Sequence, residues 1–250
     1  MFFIPFILYS VLAAGSPAML SVTFLQLSVL IISALLFSYA GNVFSLMSIR
    51  LAPNPGYSLV VSKSYVLLTA LASVFLFRDT LTLPGAIAIA CIIGFSPLVI
   101  LDPGAGRSGR SGYWWLVYAI GSFFCWGFLA IASKYLILLG VAVIPRLWYI
   151  TGIVSGLVIG QSVVERKSVI PDSKTETVLL IFIGILSAVF NYFMQEGFRL
   201  APNIGYVNAV NASSIAAVTV LAAIFFGDDF SLRKMAGVAG IIAGLFLLML

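Results

Sequence analysis

Arg50-Leu51-Ala52-Pro53-Asn54-Pro55-Gly56-Tyr57 returns 149 positions later as Arg199-Leu200-Ala201-Pro202-Asn203-Ile204-Gly205-Tyr206, with seven of the eight residues kept. A match of that length does not arise by chance in 250 residues, so the chain is an internal duplication. Each copy closes an apolar segment, and five such segments run from one copy to the next. Five is odd. If every segment crosses a bilayer, the second half runs with the opposite orientation to the first.

Composition identifies the medium around these segments. The chain is 62% hydrophobic and 8% charged, with a mean hydropathy of +1.17, whereas a soluble domain is about a quarter charged. Water does not solvate such a surface, so lipid must. A span needs about 20 apolar residues, so the length holds nine or ten spans and no separate soluble domain. The net charge of +5 lies at segment ends, where it anchors helices near headgroups and leaves no nucleic-acid footprint. Cys91 and Cys125 lie inside apolar segments and read as small buried hydrophobes. His is absent, which removes the commonest general base and metal ligand. With no phosphate loop, metal-ligand cluster or nucleophile–base pair in the sequence, no cofactor or metal is expected.

The expected spans are 27–49, 57–77, 83–101, 113–135, 142–164, 177–198, 206–226 and 232–250. Unbroken apolar runs of this length are helices, not the alternating strands of a membrane barrel. Residues 1–16 carry no Lys or Arg ahead of their apolar run, so they read as a short membrane helix and not as a signal peptide. Residues 102–112, DPGAGRSGRSG, form a flexible linker between a first repeat, 1–101, and a second, 113–250. The duplication reaches beyond the octapeptide: Asn42 matches Asn191, Phe44 matches Phe193, Ser64 matches Ser213, and Phe77-Arg78-Asp79 matches Phe226-Gly227-Asp228. At the same offset, 142–164 falls around Met1 and 113–135 has no partner. The first repeat is therefore expected to lack its first helix and part of its second. Either the protein is a nine-helix variant or its start is missing, and the second alternative is the favoured one.

These halves resemble the drug/metabolite transporter superfamily, EamA type. The fourth-to-fifth turn of that family reads G-E-x-L; here the turns are Phe77-Arg78-Asp79-Thr80-Leu81 and Gly227-Asp228-Asp229-Phe230, with Asp for Glu in both. Gly94 and Gly244 match the family's glycine late in the fifth helix, and Pro145-Arg146 resembles its Arg near the start of the second helix of a repeat. The family's proline midway along the fourth helix is missing from both copies. The resemblance covers the whole chain. It implies an all-α integral membrane protein, ten helices in two inverted repeats (nine here), multi-pass in the plasma or inner membrane. Its implied activity is alternating-access transport of a small organic solute, with export of amino-acid-like or anionic compounds expected. It leaves the substrate open, because one scaffold carries many functions.

Lys63 stands out among candidate contacts. It lies six residues into its span, about 9 Å deep by helical rise, and its second-half counterpart is Ala212. A charge at that depth either faces a cavity and binds a carboxylate or phosphate, or snorkels to the headgroups on its long stem. Asn208 and Asn211 share a helix face and match Leu59 and Ser62, so they mark one half only; they read as substrate contacts or as interhelical glue. Asn42 and Asn191 recur in both halves, which favours a structural hydrogen bond, and Gln195 extends the stripe of Asn191 by one turn. Tyr192 and Trp126 are candidate aromatic walls. Glu196 is expected to pair locally with Arg199. Asp79 and Asp228 are expected to cap the spans that follow them. Gly237, Gly240 and Gly244 are spaced for close helix packing.

Lys63 apart, the basic residues divide eight to four, with Arg78, Lys134, Arg146 and Arg199 on the poorer side. The positive-inside rule puts the richer side in the cytoplasm; the resemblance implies the reverse. The expected partners are a small-molecule substrate and the lipid bilayer, with no nucleic acid. A monomer holding both halves is self-sufficient in principle, and a homodimer stays open. Two rival readings are a non-transporting remnant or helical partner subunit, and a membrane-embedded lipid-modifying enzyme. The second rival wants clustered carboxylates or His, against eight scattered acidic residues and no His.

Overall fold

A computed structural model describes residues 3–52, 55–100, 113–166, 171, 173–226 and 231–248. The expected linker 102–112, the turn at Pro53 and Asn54, and the Gly227–Phe230 turn with Asp228 lie outside the described residues. Within them the chain is helical: α1 Phe3–Ala14, α2 Phe24–Ile32, α3 Ala40–Leu51, α4 Pro55–Lys63, α5 Tyr65–Phe77, α6 Leu83–Ile100, α7 Trp114–Leu138, α8 Val143–Glu165, α9 Lys174–Leu200, α10 Ile204–Phe226 and α11 Leu232–Leu248. A π-helical segment, Ser33–Tyr39, joins α2 to α3 in one continuous rod.

Among the described residues, six helices are long and apolar enough to cross a membrane: Phe24–Leu51, Tyr57–Phe77, α7, α8, α9 and α10. α1 and α6 are apolar but shorter. At about 1.5 Å per residue, the 12 residues of α1 fall short of a bilayer core. Helix bounds repeat at the offset of the octapeptide. Moved back by 149, α9 falls on 25–51 against Phe24–Leu51, α10 on 55–77 against Pro55–Phe77, and α11 on 83–99 against Leu83–Ile100.

The chain forms two compact units, each drawing on both sequence halves. The first comprises 1–39 and 132–200, and the second 40–131 and 201–250. In the first, α8 packs on α1, α2, the π segment and α9. Its core is Tyr9, Val143, Leu147 and Ala188, and Tyr9 also donates a hydrogen bond to the Ala188 carbonyl at 2.7 Å. Two local signals fix this unit. Thr23 and Gln26 form a capping box at the start of α2. Gly140, at φ +80°, ends α7 in a Schellman turn: Val141 N–H bonds the Leu136 carbonyl and Gly140 N–H that of Ile137. The Leu139 carbonyl left over accepts from Gln26 Nε2 at 2.9 Å.

In the second unit α11 lies along α6, and α10 packs on α5, α6 and α11. The predicted glycine stripe makes the α6–α11 contact. A Cβ at Gly240 would lie 2.2 Å from the Phe95 ring, and one at Gly237 2.6 Å from Val99. The second octapeptide copy is spent on structure. Asn203 caps α10 by accepting from Gly205 N–H at 2.7 Å and donates to the Ala70 carbonyl at 3.2 Å. Gly205 admits α5, since a Cβ there would sit 2.5 Å from Ala70 Cβ. Tyr206 Oη accepts from Thr82 N–H at 3.0 Å. Arg199 pairs with Glu196 at 2.7 Å, as expected.

Asp79 corrects its expected role. The next helix is capped by Thr82, whose Oγ1 accepts from Gly85 N–H at 3.1 Å. The Asp79 carboxylate instead accepts from Ser73 Oγ in the helix before, and its own N–H bonds the Ser73 carbonyl. The reason is length: α6 begins at Leu83, so Asp79 stands three residues short of the cap.

Candidate functional site

Two polar nests lie among the apolar helices, one in each unit. In the second unit, α5 and α10 share a donor chain. Asn211 Nδ2 donates to Tyr65 Oη (3.2 Å), Tyr65 Oη to Asn208 Oδ1 (3.3 Å), Asn208 Nδ2 to Thr69 Oγ1 (3.0 Å), and Thr69 Oγ1 to the Val66 carbonyl (3.0 Å). Spacing creates the match. Tyr65 and Thr69 are four apart on one helix, and Asn208 and Asn211 three apart on the other, so each pair shares a face. Asn208 and Thr69 are completely buried and satisfied, so their bonds tie helix to helix. Asn211 is half-buried at the open end of the chain.

Lys63 is the contrasting group. It ends α4, and Ser64 interrupts the rod before α5 begins, its hydroxyl folded back on the Val60 carbonyl at 2.8 Å. Lys63 is half-buried and makes no hydrogen bond or ion pair with any described residue. Its position at a helix C-terminus suits a cation, but a three-donor ammonium in an apolar span retains unused donors.

The nest of the first unit centres on Arg146, which is 1% exposed. Nη1 donates to Gln195 Oε1 at 2.7 Å and to the Ser133 carbonyl at 3.2 Å, while Nε reaches back to the Ala142 carbonyl at 3.3 Å. Gln195 Nε2 donates in turn to Ser133 Oγ at 3.2 Å. Thus α7, α8 and α9 meet at one guanidinium, with Lys134 buried beside Ser133.

The remaining predicted residues divide between the units. Asn191 is half-buried and bonds back to the Ser187 carbonyl of its own helix at 2.7 Å. Tyr192 packs against the Tyr9–Leu147 core. Asn42 is half-buried and hydrogen-bonded or otherwise engaged. Trp126 lies beside Gly41, where a Cβ would be 3.7 Å from its ring. The structure therefore joins Asn208 with Asn211 in one nest and places Gln195 in the other, while Asn191 bonds only within its own helix. The sequence alone does not mark Tyr65, Thr69 or Ser133, and it marks Arg146 only as the counterpart of a family arginine. The signal available was the facing pair of polar spacings on two duplicated helices. A metal-ligating group of three or more His, Cys, Asp or Glu does not occur among the described residues.

The sequence profile described as the EamA-like transporter family matches residues 113–250. A solved structure titled "Crystal structure of protein" is similar in fold, with a TM-score of 0.80, 13% identity, and coverage of 99% of this chain and 84% of that one. No curated protein matches the chain.

Proposed function

The chain belongs to the EamA-like transporter family, a family of drug/metabolite-type membrane carriers, and from that premise we propose an alternating-access carrier for a small anionic or amino-acid-like solute. The observation behind the solute class is Lys63, a charge within a membrane span that no described residue answers. In this reading the solute's carboxylate or phosphate supplies the missing partner, and Asn211 adds an amide contact. Asn208 supports Tyr65 and the helix pair. Asn42 and Trp126 serve as wall residues within the same unit, and Asn191, Tyr192 and Gln195 serve as wall residues within theirs. Export across the cell membrane is the working direction, with no cofactor.

The architecture that goes with it is nine membrane helices in two repeats, 1–101 and 113–250, joined by 102–112. The repeats run in opposite orientations. The helix bounds recurring at 149 positions support this assignment.

The test is transport into proteoliposomes loaded with candidate amino acids, organic anions, sugars and cationic drugs. Saturable movement of an anion or zwitterion whose apparent affinity Lys63→Ala lowers roughly ten- to a hundredfold supports the reading; transport unchanged in that variant sinks the assignment of Lys63. A second reading, a helical partner subunit, draws on α9. Only 11% of its apolar window is buried, against 28% for its copy Phe24–Leu51. Co-purification of a second membrane protein in fixed ratio, with no transport by the chain alone, would favour it.

A further inference from the structure

α9 and the rod Phe24–Leu51 correspond at an offset of 149 residues, yet one face of the two is covered differently. In the rod, α3 lies antiparallel against α7. Ser48 Oγ donates to the Trp115 carbonyl at 2.9 Å, the Phe44 ring lies against Gly121, and Gly41 abuts Cys125. Gly121 forms a notch for that ring, since a Cβ there would stand 2.8 Å from it. Under this contact Gly41 and Ser48 are buried and Phe44 is half-buried. In α9 the same three places are Phe190, Phe193 and Gly197. Phe190 is 49% exposed and Phe193 67%. The other side of α9 is packed. A Cβ at Gly184 would lie 2.5 Å from Ile4 of α1, Ala188 belongs to the Tyr9–Leu147 core, and Gln195 accepts from Arg146 of α8. Phe190 and Phe193 stand two residues from Ala188 and Gln195, about 200° around the helix.

Lipid covers the outer face of many membrane helices, but the phenylalanine that recurs here, Phe44 and Phe193, is seated in a glycine notch in one copy. We infer that the Phe190–Phe193 face of α9 docks an apolar membrane-spanning helix of a second polypeptide, packed antiparallel as α7 packs on α3. The chemistry of this partner follows from the copy. A glycine receives the Phe193 ring, as Gly121 receives Phe44. One turn on, where α7 sets Cys125 against Gly41, the bulk of Phe190 requires a second glycine. The partner is therefore a Gly-x-x-x-Gly span, a pattern that lets helix backbones approach closely in lipid. Docking at α9 goes beyond both readings of the function: it is read by cross-linking, and transport by the chain alone leaves it standing.

The experiment is disulfide cross-linking of the whole chain in phosphatidylcholine proteoliposomes. The probe is a synthetic peptide with the sequence of residues 113–138, which includes Cys125. The chain carries Cys91→Ala and Cys125→Ala, to remove its own thiols, together with Phe190→Cys. That last change restores a small side chain at the place of Gly41 and sets a thiol opposite Cys125 of the peptide. Oxidation should give a saturable chain–peptide adduct. Ile185→Cys in place of Phe190→Cys, at a position 42% exposed on another face of α9, should give none. A peptide with Gly121→Leu, which fills the notch for the ring, should also lose the adduct. For the chain with its own residues throughout, the peptide with Cys125→Gly should raise the melting temperature saturably, and Phe193→Ala in the chain should lose that rise. No adduct, adducts of equal yield for Phe190→Cys and Ile185→Cys, or a melting temperature that the peptide leaves unchanged would overturn the docking face. A chain–chain adduct of Phe190→Cys formed without peptide would overturn it too, because a second copy is then the occupant.

Discussion

Tyr57–Phe77 and α10 correspond at the 149-residue offset of the octapeptide, yet they use polar residues in opposite ways. In α10, Asn208 and Asn211 stand where the first copy has Leu59 and Ser62, and both are engaged by Tyr65. In the first copy Lys63 stands where α10 has Ala212, a core residue 2% exposed, and Lys63 makes no bond to a described residue. The first copy is interrupted at Ser64, whereas α10 runs unbroken through Ser213. In a medium without water, a polar group that is paired inside the protein contributes to stability. A polar group left unpaired lowers stability, and it persists because it serves something else.

The sharpest way to break this comparison is Lys63→Ala. Loss of a charge-assisted contact to an anion is worth about 1.5–3 kcal/mol, so apparent affinity for the transported solute should fall roughly ten- to a hundredfold. The melting temperature should hold or rise. A melting temperature that drops instead would make Lys63 a structural residue and erase the contrast. Next in size is Gly205→Ala, which pushes a methyl into Ala70. Overpacking of this kind costs about 1–3 kcal/mol, read as a lower midpoint in detergent unfolding with the solute's KM little changed. Asn208→Leu should destabilise by about 1–2 kcal/mol, since it strands Tyr65 and Thr69. A double-mutant cycle with Thr69→Val should recover part of that loss; strict additivity would mean that the donor chain is not a unit. The smallest effect is expected at Arg78, which holds φ 58° as the C-cap of α5. Its copy is Gly227. Arg78→Gly relieves the left-handed strain at some cost in chain entropy and should stabilise by about 0.5 kcal/mol.

Most of the helical layout was legible in the sequence because the bilayer imposes it: apolar runs of span length have few alternatives to helix. The duplication also told which segments correspond. What it could not tell is how the pieces group, because each compact unit draws on both halves. The octapeptide located the repeat, but Asn203, Gly205 and Tyr206 turned out to cap, pack and tie α10 to the helices on either side of the Thr82 turn. The asparagines were read from their own helix alone. Their partners, Tyr65 and Thr69, are about 140 residues away in sequence, and single-helix periodicity carries no information about the facing surface. Arg146 was legible as the counterpart of a family arginine, but its partners were not. Three residues from the start of a span, it looks like an interfacial anchor, and only the approach of Gln195 and Ser133 makes it a buried junction.

The π segment Ser33–Tyr39 gives the rod Phe24–Leu51 a kind of slack. A π turn closes its hydrogen bonds over one more residue than an α turn, so the segment stores a surplus residue. Deleting one residue between Ser33 and Tyr39 should let the segment relax into α-helix with Asn42 and Phe44 still on their present faces. The same deletion in the middle of α10 would turn every later side chain by about 100°. Tolerance of single-residue gaps should therefore be concentrated in this stretch of the chain. A deletion scan scored by membrane insertion and folding would reveal it as a short permissive window inside an otherwise intolerant helix.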